Sequence, residues 1–563
     1  MEHGSSSSPE VEALRHQVAE LAAQLAEQRA LIAEQQATIV AYQEQLERQR
    51  EQLTLLKRAL FGSRRERYVA SPDQMLLAGF EPLDSSPEPS SVADEPPAEP
   101  PAAVAKSRRR PPKRFVFPEG LPRRRTEYPL AAAELPCSCC QQPRVVIGEH
   151  VSRQLELEPA HAYVAEHVRY TYACSKCRAG ESLHTTAKPP LPIEKSPFGP
   201  SVLAAIGVDK YARHLPLYRQ QESLLGPLQT WLSRSLMCRL LRGVAEALKP
   251  LVTRLRELIF ISRVVQIDET TVRYLDRNSD RTQGGYFWAY AGDVHHRYVY
   301  YEFQSSRSRA GPAAWLSTYR GYVQSDGYSV YESLAKDATE RWTHVGCWAH
   351  VRRKFDEALL TTSHPILHES LAAIQQLYAL ETQTATCSSA DRQAQRAAHV
   401  RPIIERWHTR LLAVRDELRP STKLAEAVNY ALNRWPTLLR YLDDGDLSID
   451  TNHVEREIRP LAIGRTNWLF LGNERAGTTA SALYTVLQSA RLQQVDLLPY
   501  LTDVLRGLPA VGSGDLAGLD VYLPDRWLAA HPQHRLIERE RESQEAQRRR
   551  RVRHAARRAG TAG

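Results

Sequence analysis

The sequence predicts a multidomain α+β chain: a long N-terminal helix suited to pairing, a small cysteine-bearing β module, a helical segment, and a larger α/β unit interrupted by helices. Three observations predict it. They are a heptad pattern near the start, two C-x-x-C pairs beside alternating apolar residues, and later apolar runs that end in aspartate before a long helical stretch. At roughly 150 residues per domain, 563 residues call for three or four folded units. Hydrophobic residues at 42% and charged residues at 25% exclude fibrous and wholly disordered classes. No apolar run reaches the ~18 residues of a membrane helix, and the start MEHGSSSSPE lacks the features of a signal peptide. The expectation is a soluble cytoplasmic protein with no membrane partner. Eight cysteines are too few for a disulfide framework, so paired cysteines in a reducing cytosol read as metal ligands.

Residues 11–68 form the first element. Leu14, Val18, Leu21, Leu25, Gln28, Ile32, Gln35, Ile39, Tyr42, Leu46, Gln49, Leu53, Leu56 and Leu60 alternate by four and three, and eleven of these fourteen are apolar. This is the pattern of a coiled coil, with core glutamines that set register. Self-association as a homodimer or higher oligomer follows, since no second heptad run is available for an intramolecular hairpin. Residues 69–114 are a linker, with ten prolines between Pro72 and Pro112. Its basic end carries Arg108, Arg109 and Arg110; from Lys106 to Arg125 nine basic residues face one acid. The last thirty residues hold ten arginines against four glutamates. Such clustering suits phosphate backbones, and the arginine triplet is a candidate DNA contact, with a solvated spacer as the alternative.

In residues 115–187, Cys137 and Cys140 pair with Cys174 and Cys177, and Tyr163, Val168, Tyr170 and Tyr172 lead into the second pair. Two knuckles on a small sheet describe a zinc ribbon, whose four thiolates meet the tetrahedral preference of Zn2+. Cys139 competes with Cys140 for the first knuckle. Residues 188–258 read as helical with a break at Gly226 and Pro227, compatible with a helix-turn-helix or with plain helical packing.

The larger unit spans 262–510, with helices inserted over about 356–447. Asp268 follows the apolar run VVQI, and Asp326 closes GYVQSD; GGYFWAY and YVYYEF between them form a hairpin. Val454, Ile458 and Leu461 recur at helical spacing and put Glu455 on a helix beside an apolar stripe. Three carboxylates from two strand ends and a helix can hold a pair of Mg2+ or Mn2+ ions, the arrangement that metal-assisted phosphoryl transfer needs. Strand Asp, strand Asp, helix Glu is the order that a ribonuclease-H-like fold supplies. The 129 residues between Asp326 and Glu455 require the helical insertion.

The strings IDETTV, SDGYSVY, GCWAHVRRKF and TNHVEREIRPLAIGRTNWLF resemble the transposases of the bacterial insertion sequence 66 family. LFGSRRER, the paired cysteines, DKYARHLPLYRQ and VYLPDRW fit the same family, in order, from about Leu14 to Trp527. The resemblance implies a DDE-type transposase with a leucine zipper, a zinc-binding module, a ribonuclease-H-like catalytic domain with a helical insertion, and a C-terminal segment with an arginine-rich tail over 511–563. By motif match, Asp268, Asp326 and Glu455 correspond to the catalytic, metal-holding acids. It further implies a nucleoid-associated bacterial protein that cuts double-stranded DNA at element ends, joins it to target DNA, and works with accessory proteins of the same element. The first knuckle reads CSCCQ where the family tends to have glycine after the second cysteine, the paired asparagines before the Glu motif appear as Thr451 and Asn452, and GRKNW appears as GRTNW.

Arg352 and Arg353 on the helix after CWAH, and Arg456, Arg459 and Arg465 around Glu455, are candidate DNA contacts, with salt bridges inside the domain as the alternative. Glu269 points away from Asp268 if the strand continues and reads as structural; His350 reads as a satisfied buried histidine rather than a phosphate or metal contact. Two other functions fit parts of the chain: a catalytically inactive DNA-binding or regulatory protein, and a structure-specific nuclease that cuts without joining.

Overall fold

A computed structural model describes residues 116–117, 119–137, 141–158, 161–173, 184–276, 281–338, 341–512 and 514–537, with scattered residues between 20 and 49 and between 541 and 548. Arg108, Arg109, Arg110, Cys140, Cys174, Cys177 and most of the linker and tail lie outside them. The described residues between 20 and 49 are helical, and the heptad residues Leu25, Ile32, Ile39 and Leu46 are all exposed.

The cysteine module is built on β1 (Arg123–Tyr128), β2 (Val145–Glu158), β3 (His161–Ala173) and β4 (His184–Thr185). β3 is central, antiparallel to β2 and β4 and parallel to β1. Ala162, Val164, Val168 and Tyr172 share one buried face. Tyr163 falls on the other face, because side chains alternate along a strand, and the Arg124 guanidinium lies 4.3 Å over its ring.

Three helices follow: α1 (Pro200–Tyr211), α2 (Leu217–Leu228) and α3 (Arg234–Phe260). The expected break at Gly226 and Pro227 lies in the last turn of α2; the chain turns only after Gln229, whose φ is 50°. Ser233 then caps α3, accepting from the Leu236 N–H at 3.2 Å. Met237, Leu240, Leu241, Val244, Leu248, Leu251 and Leu255 form a helical stripe that is buried in the same core as the following sheet. The segment therefore belongs to the main body and is not a separate module.

That sheet comprises β5 (Val264–Leu275), β6 (Thr282–Ala291), β7 (Val299–Gln304), β8 (Gly321–Gln324) and β9 (Trp342–Val345), in the order β7-β6-β5-β8-β9. β5, β6 and β7 are antiparallel, whereas β8 and β9 run parallel to β5. α4 (Ala310–Leu316) and α5 (Ser329–Lys336) flank β8. Residues 264–267 are buried throughout, as expected of a strand covered on both faces.

A second core gathers α6 (Trp348–Leu359) and α7 (Pro365–Gln383) and, after the exposed α8 (Ser389–Gln395), α9 (Arg401–Arg415), α10 (Lys423–Asn433) and α11 (Trp435–Leu439). Trp348 packs against Trp407, Trp435 and Tyr441, so this helical body starts at Trp348, ahead of the expected 356. The chain returns to the sheet with α12 (Asn452–Trp468), which packs on β5 and β6, and α13 (Glu474–Leu492), which packs on β7 and α3. α14 (Leu497–Gly507), α15 (Leu516–Asp520) and α16 (Pro524–Ala530) complete the described body. Leu519, Leu523 and Trp527 belong to the main core, so the core continues past the expected boundary at 510. Among the described residues no helix is long and apolar enough to cross a membrane.

Candidate active site

Asp268 sits where the fully buried half of β5 gives way to an alternating half, and Asp326 follows β8, parallel and adjacent to β5. The Asp326 carboxylate accepts from the Tyr328 N–H at 3.0 Å, a local turn that starts α5. Glu455 occupies the first turn of α12.

Two buried glutamines align these elements. Gln266 and Gln324 each lie two residues before an aspartate and pair in register across β5 and β8. Gln266 Nε2 donates to Gln324 Oε1 at 2.9 Å and to the Asp450 carbonyl at 3.1 Å, while its Oε1 accepts from the Val454 N–H at 3.2 Å. Gln324 Nε2 donates to the Ser448 carbonyl at 2.6 Å. The two strands and the start of α12 are thereby joined within two residues of all three acids. Asp450 closes the corner, accepting from the Asn452 N–H at 3.0 Å and from the Tyr378 hydroxyl at 2.8 Å.

Burial, followed by the charges of Glu269, Asp326 and Glu455, pushes the Asp268 carboxyl well above the usual carboxylate range. The three sequence-predicted acids thus meet at electrostatic range, and their anions repel. Among the described residues no group of three or more His, Cys, Asp or Glu side chains is placed so as to hold a metal ion. The donor set nevertheless suits a hard divalent cation, because opposite charge removes the repulsion that a buried Asp268 anion otherwise meets.

Glu269 turns to a structural role. Arg307 holds it through Nε at 2.9 Å and through Nη2, and the Tyr331 hydroxyl donates to it at 3.2 Å. Burial raises its pKa and Arg307 opposes the rise. His350 departs from expectation. Its Nε2 lies 4.0 Å from Glu455 Oε1, and its buried Nδ1 has no hydrogen-bond partner among the described residues. The histidine therefore borders the acids instead of being satisfied within the core. The signal was its place in the first turn of a helix that follows a strand of the same sheet. Nearby, His344 Nε2 and the Ser325 hydroxyl share a 2.8 Å hydrogen bond, and burial with Arg434 lowers His344 to about 4. Cys347 is buried and receives the Thr451 N–H and hydroxyl; burial drives its thiol up to about 12, which leaves it an inert packing group.

The candidate DNA contacts divide. Arg456 and Arg459 are exposed on α12 and, with Arg353, have no ion-pair partner among the described residues. Arg352 leans on Asp356 at 3.6 Å. Arg465 also reaches inward: its Nη1 donates to Thr270 Oγ1 at 2.9 Å and Thr271 Oγ1 at 3.1 Å, which staples α12 to β5.

In the cysteine module, Cys137 is fully buried, its N–H bonded to the Gln142 carbonyl and its own carbonyl to the Gln141 N–H. Gln141 has φ 58°, the left-handed conformation that glycine adopts without cost. That explains why the expected pattern has glycine here; Gln141 departs in residue type while keeping the turn.

Residues 195–479, half of the chain, match the profile of the "Transposase IS66 family". The chain belongs to this transposase family. Residues 134–178, which contain all four cysteines of the two pairs, match the "zinc-finger binding domain of transposase IS66". Residues 48–126 match "Transposase C of IS166 homeodomain", which overlaps the end of the heptads and the whole linker. The IS66 chain is also similar to two Sinorhizobium fredii proteins. It is 33% identical to uncharacterized protein y4jD over 404 residues, covering 70% of this chain and 78% of that protein. It is 32% identical to uncharacterized protein y4qI over 477 residues, covering 81% and 85%. Family membership carries a transposase role, and the zinc-finger match supports zinc binding and DNA as partner.

Proposed function

We propose that this IS66 chain cuts double-stranded DNA at the ends of its element and joins the freed 3′ hydroxyls to target DNA. The observation that supports this reading best is the raised pKa of Asp268, to which the charges of Asp326 and Glu455 contribute after burial and Glu269. The strand order β7-β6-β5-β8-β9, with β5 central and the acids on β5, after β8 and on α12, supports a ribonuclease-H-like catalytic unit.

Asp268, Asp326 and Glu455 are the residues that would hold Mg2+ or Mn2+. Bound there, the cations would activate the attacking hydroxyl and stabilise the leaving oxygen. Gln266 and Gln324 keep the two strands and the start of α12 in register. Glu269 ties the Arg307 loop and α5 beside Asp326. Arg352 and Arg353 on α6, and Arg456 and Arg459 on the helix of Glu455, would meet the phosphates on either side of the cut. Cys137, Cys140, Cys174 and Cys177 would complete the zinc site, and Arg108, Arg109 and Arg110 would add sequence-independent grip. Pairing through residues 11–68 would bring two DNA ends together.

The test is a strand-transfer assay with purified protein, Mg2+ or Mn2+, and DNA bearing the inverted repeats that flank the gene. Wild type should give joined products, and Asp326→Asn should bind but neither cut nor join. Comparable cutting by the variant refutes the assignment. Cut but unjoined strands would mean a nuclease, and bound but intact DNA a regulatory protein.

A further inference from the structure

The turn between α12 and α13 is built in a way that packing alone does not explain. Leu469 has φ 63° and ψ −52°, and the Phe470 N–H bonds back to the Trp468 carbonyl at 2.8 Å. This is a positive-φ γ-turn, a rare and strained conformation for a leucine. The residues on both sides hold it in place. The Leu469 N–H reaches the Arg465 carbonyl at 2.8 Å, and Leu471 exchanges hydrogen bonds with Arg273 and Leu275 of β5 at 2.8 and 2.9 Å. Leu471 is buried, yet Leu469 is 65% exposed and Phe470 43%. Ile463, six residues before Leu469, is also exposed.

Charge surrounds this apolar tip. Arg456, Arg459, Ile463 and Asn467 recur at three- and four-residue spacing on the exposed side of α12, which leads from Glu455 to the turn. Beyond the turn opens a cleft of about 910 Å3, near the upper end of the range for binding clefts. Phe470 forms part of its wall, with Lys210, Arg239, Arg242 and Arg475 among the residues around it. Among the described residues Arg239, Arg242 and Arg475 have no ion-pair partner. Apolar side chains on a rigid turn, flanked by unpaired arginines, are the means by which proteins unstack a duplex and hold what they displace.

We propose that Leu469 and Phe470 form a wedge that enters duplex DNA, and that the cleft beside it takes the displaced strand. The proposal rests on the DNA-cutting reading above for its substrate. Thirteen residues of α12 separate Glu455 from Trp468, about 20 Å along the helix axis, which corresponds to roughly six base pairs from the cut. Phe470 stacks on an unpaired base, and Arg239, Arg242 and Arg475 meet its phosphates.

The experiment places 2-aminopurine at each position within ten base pairs of the cut in an element-end duplex and reads its emission on binding full-length protein with Ca2+. Nicking by the same preparation is followed with Mg2+. Wild type should brighten one or two adjacent positions. Phe470→Ala should abolish that rise and slow nicking at least about fivefold, the lower bound for aromatic–base stacking. Phe470→Trp should retain both. A mismatch at the responsive position should restore nicking by Phe470→Ala, which a misfolded variant could not do. Emission that stays flat in the wild-type complex, or that persists in Phe470→Ala, overturns the wedge. If the same wild-type preparation nicks with Mg2+, the cutting reading survives that failure. Phe470-dependent brightening without cutting would instead uphold the wedge and refute the catalytic reading.

Discussion

Truncating Gln266 should cost more, and disturb more, than a buried amide usually does. Gln266→Ala removes one donor group and one acceptor that serve three partners: Gln324 Oε1, the Asp450 carbonyl and the Val454 N–H. Gln266 is 5% exposed and Gln324 fully buried, so water cannot simply replace the lost group. Each orphaned buried group costs about 1–3 kcal/mol, and the low end for three gives about 3 kcal/mol. Because the Val454 N–H precedes Glu455 in the first turn of α12, strand transfer should fall further than the lost stability explains. The assay pairs melting of Gln266→Ala, Gln324→Ala and the double variant with strand-transfer rates at a temperature where all are folded. A coupling above about 1 kcal/mol is expected for residues in direct contact. If Gln266→Ala costs under about 1 kcal/mol and joins DNA at the wild-type rate, the glutamine pair does not hold the acids.

Gln141→Gly should raise the melting temperature of the zinc-loaded protein, since a left-handed non-glycine residue costs about 1 kcal/mol or more; a lower melting temperature would mean that the Gln141 side chain itself supports the knuckle. Arg396 is fully buried, paired to Glu381 by two 2.8 Å contacts and donating to the carbonyls of Tyr441, Asp444 and Leu447. Arg396→Met should destabilise by about 3–5 kcal/mol, with partial recovery when Glu381→Met is added; a loss under about 1 kcal/mol, read by chemical denaturation, would contradict this. Glu156 is buried against the start of α1, where the Ser201 N–H donates to it at 3.2 Å, and burial raises its pKa despite that bond. Between the ordinary carboxyl value and the raised one, the unfolded chain has lost a proton that the folded chain keeps, so stability falls as pH rises through that window. Glu156→Gln should flatten this limb of a melting-temperature profile, and a parallel profile would show that Glu156 does not titrate there.

The acids were legible because each ends a pattern: VVQI and GYVQS are apolar runs that stop at a charge, and Val454, Ile458 and Leu461 mark one face of a helix. The glutamines that align those acids carry no such mark. A polar residue two positions before an aspartate is unremarkable on either strand, and the register that pairs Gln266 with Gln324 exists only in the folded sheet. Arg465 shows the same limit from the other side: its motif suggests phosphate contact, and the bonds of its Nη1 to Thr270 and Thr271 exist only once α12 packs on β5. Boundaries failed where packing overrode punctuation. Gly226 and Pro227 suggest a break, yet the last turn of a helix tolerates both, and Trp348 joins the helical body through aromatic contacts far away in sequence.

The helical insertion is tied to the acids at both of its ends. Where it leaves the sheet, the Gly346 N–H bonds to the Thr437 carbonyl and the Trp348 N–H to the Ile449 carbonyl. Where it returns, Ser448 accepts from Gln324, Asp450 accepts from Gln266 and Tyr378, and Thr451 donates to Cys347. The segment from Ser448 to Thr451 is thus both the exit of the insertion and the approach to Glu455. Arg396 grips the carbonyls of Asp444 and Leu447 just before that segment. Loosening the second core should therefore reach Glu455 through the backbone, with no substitution near the acids. An insertion placed between the second and third acids in this way ties the approach to one carboxylate to a second hydrophobic core.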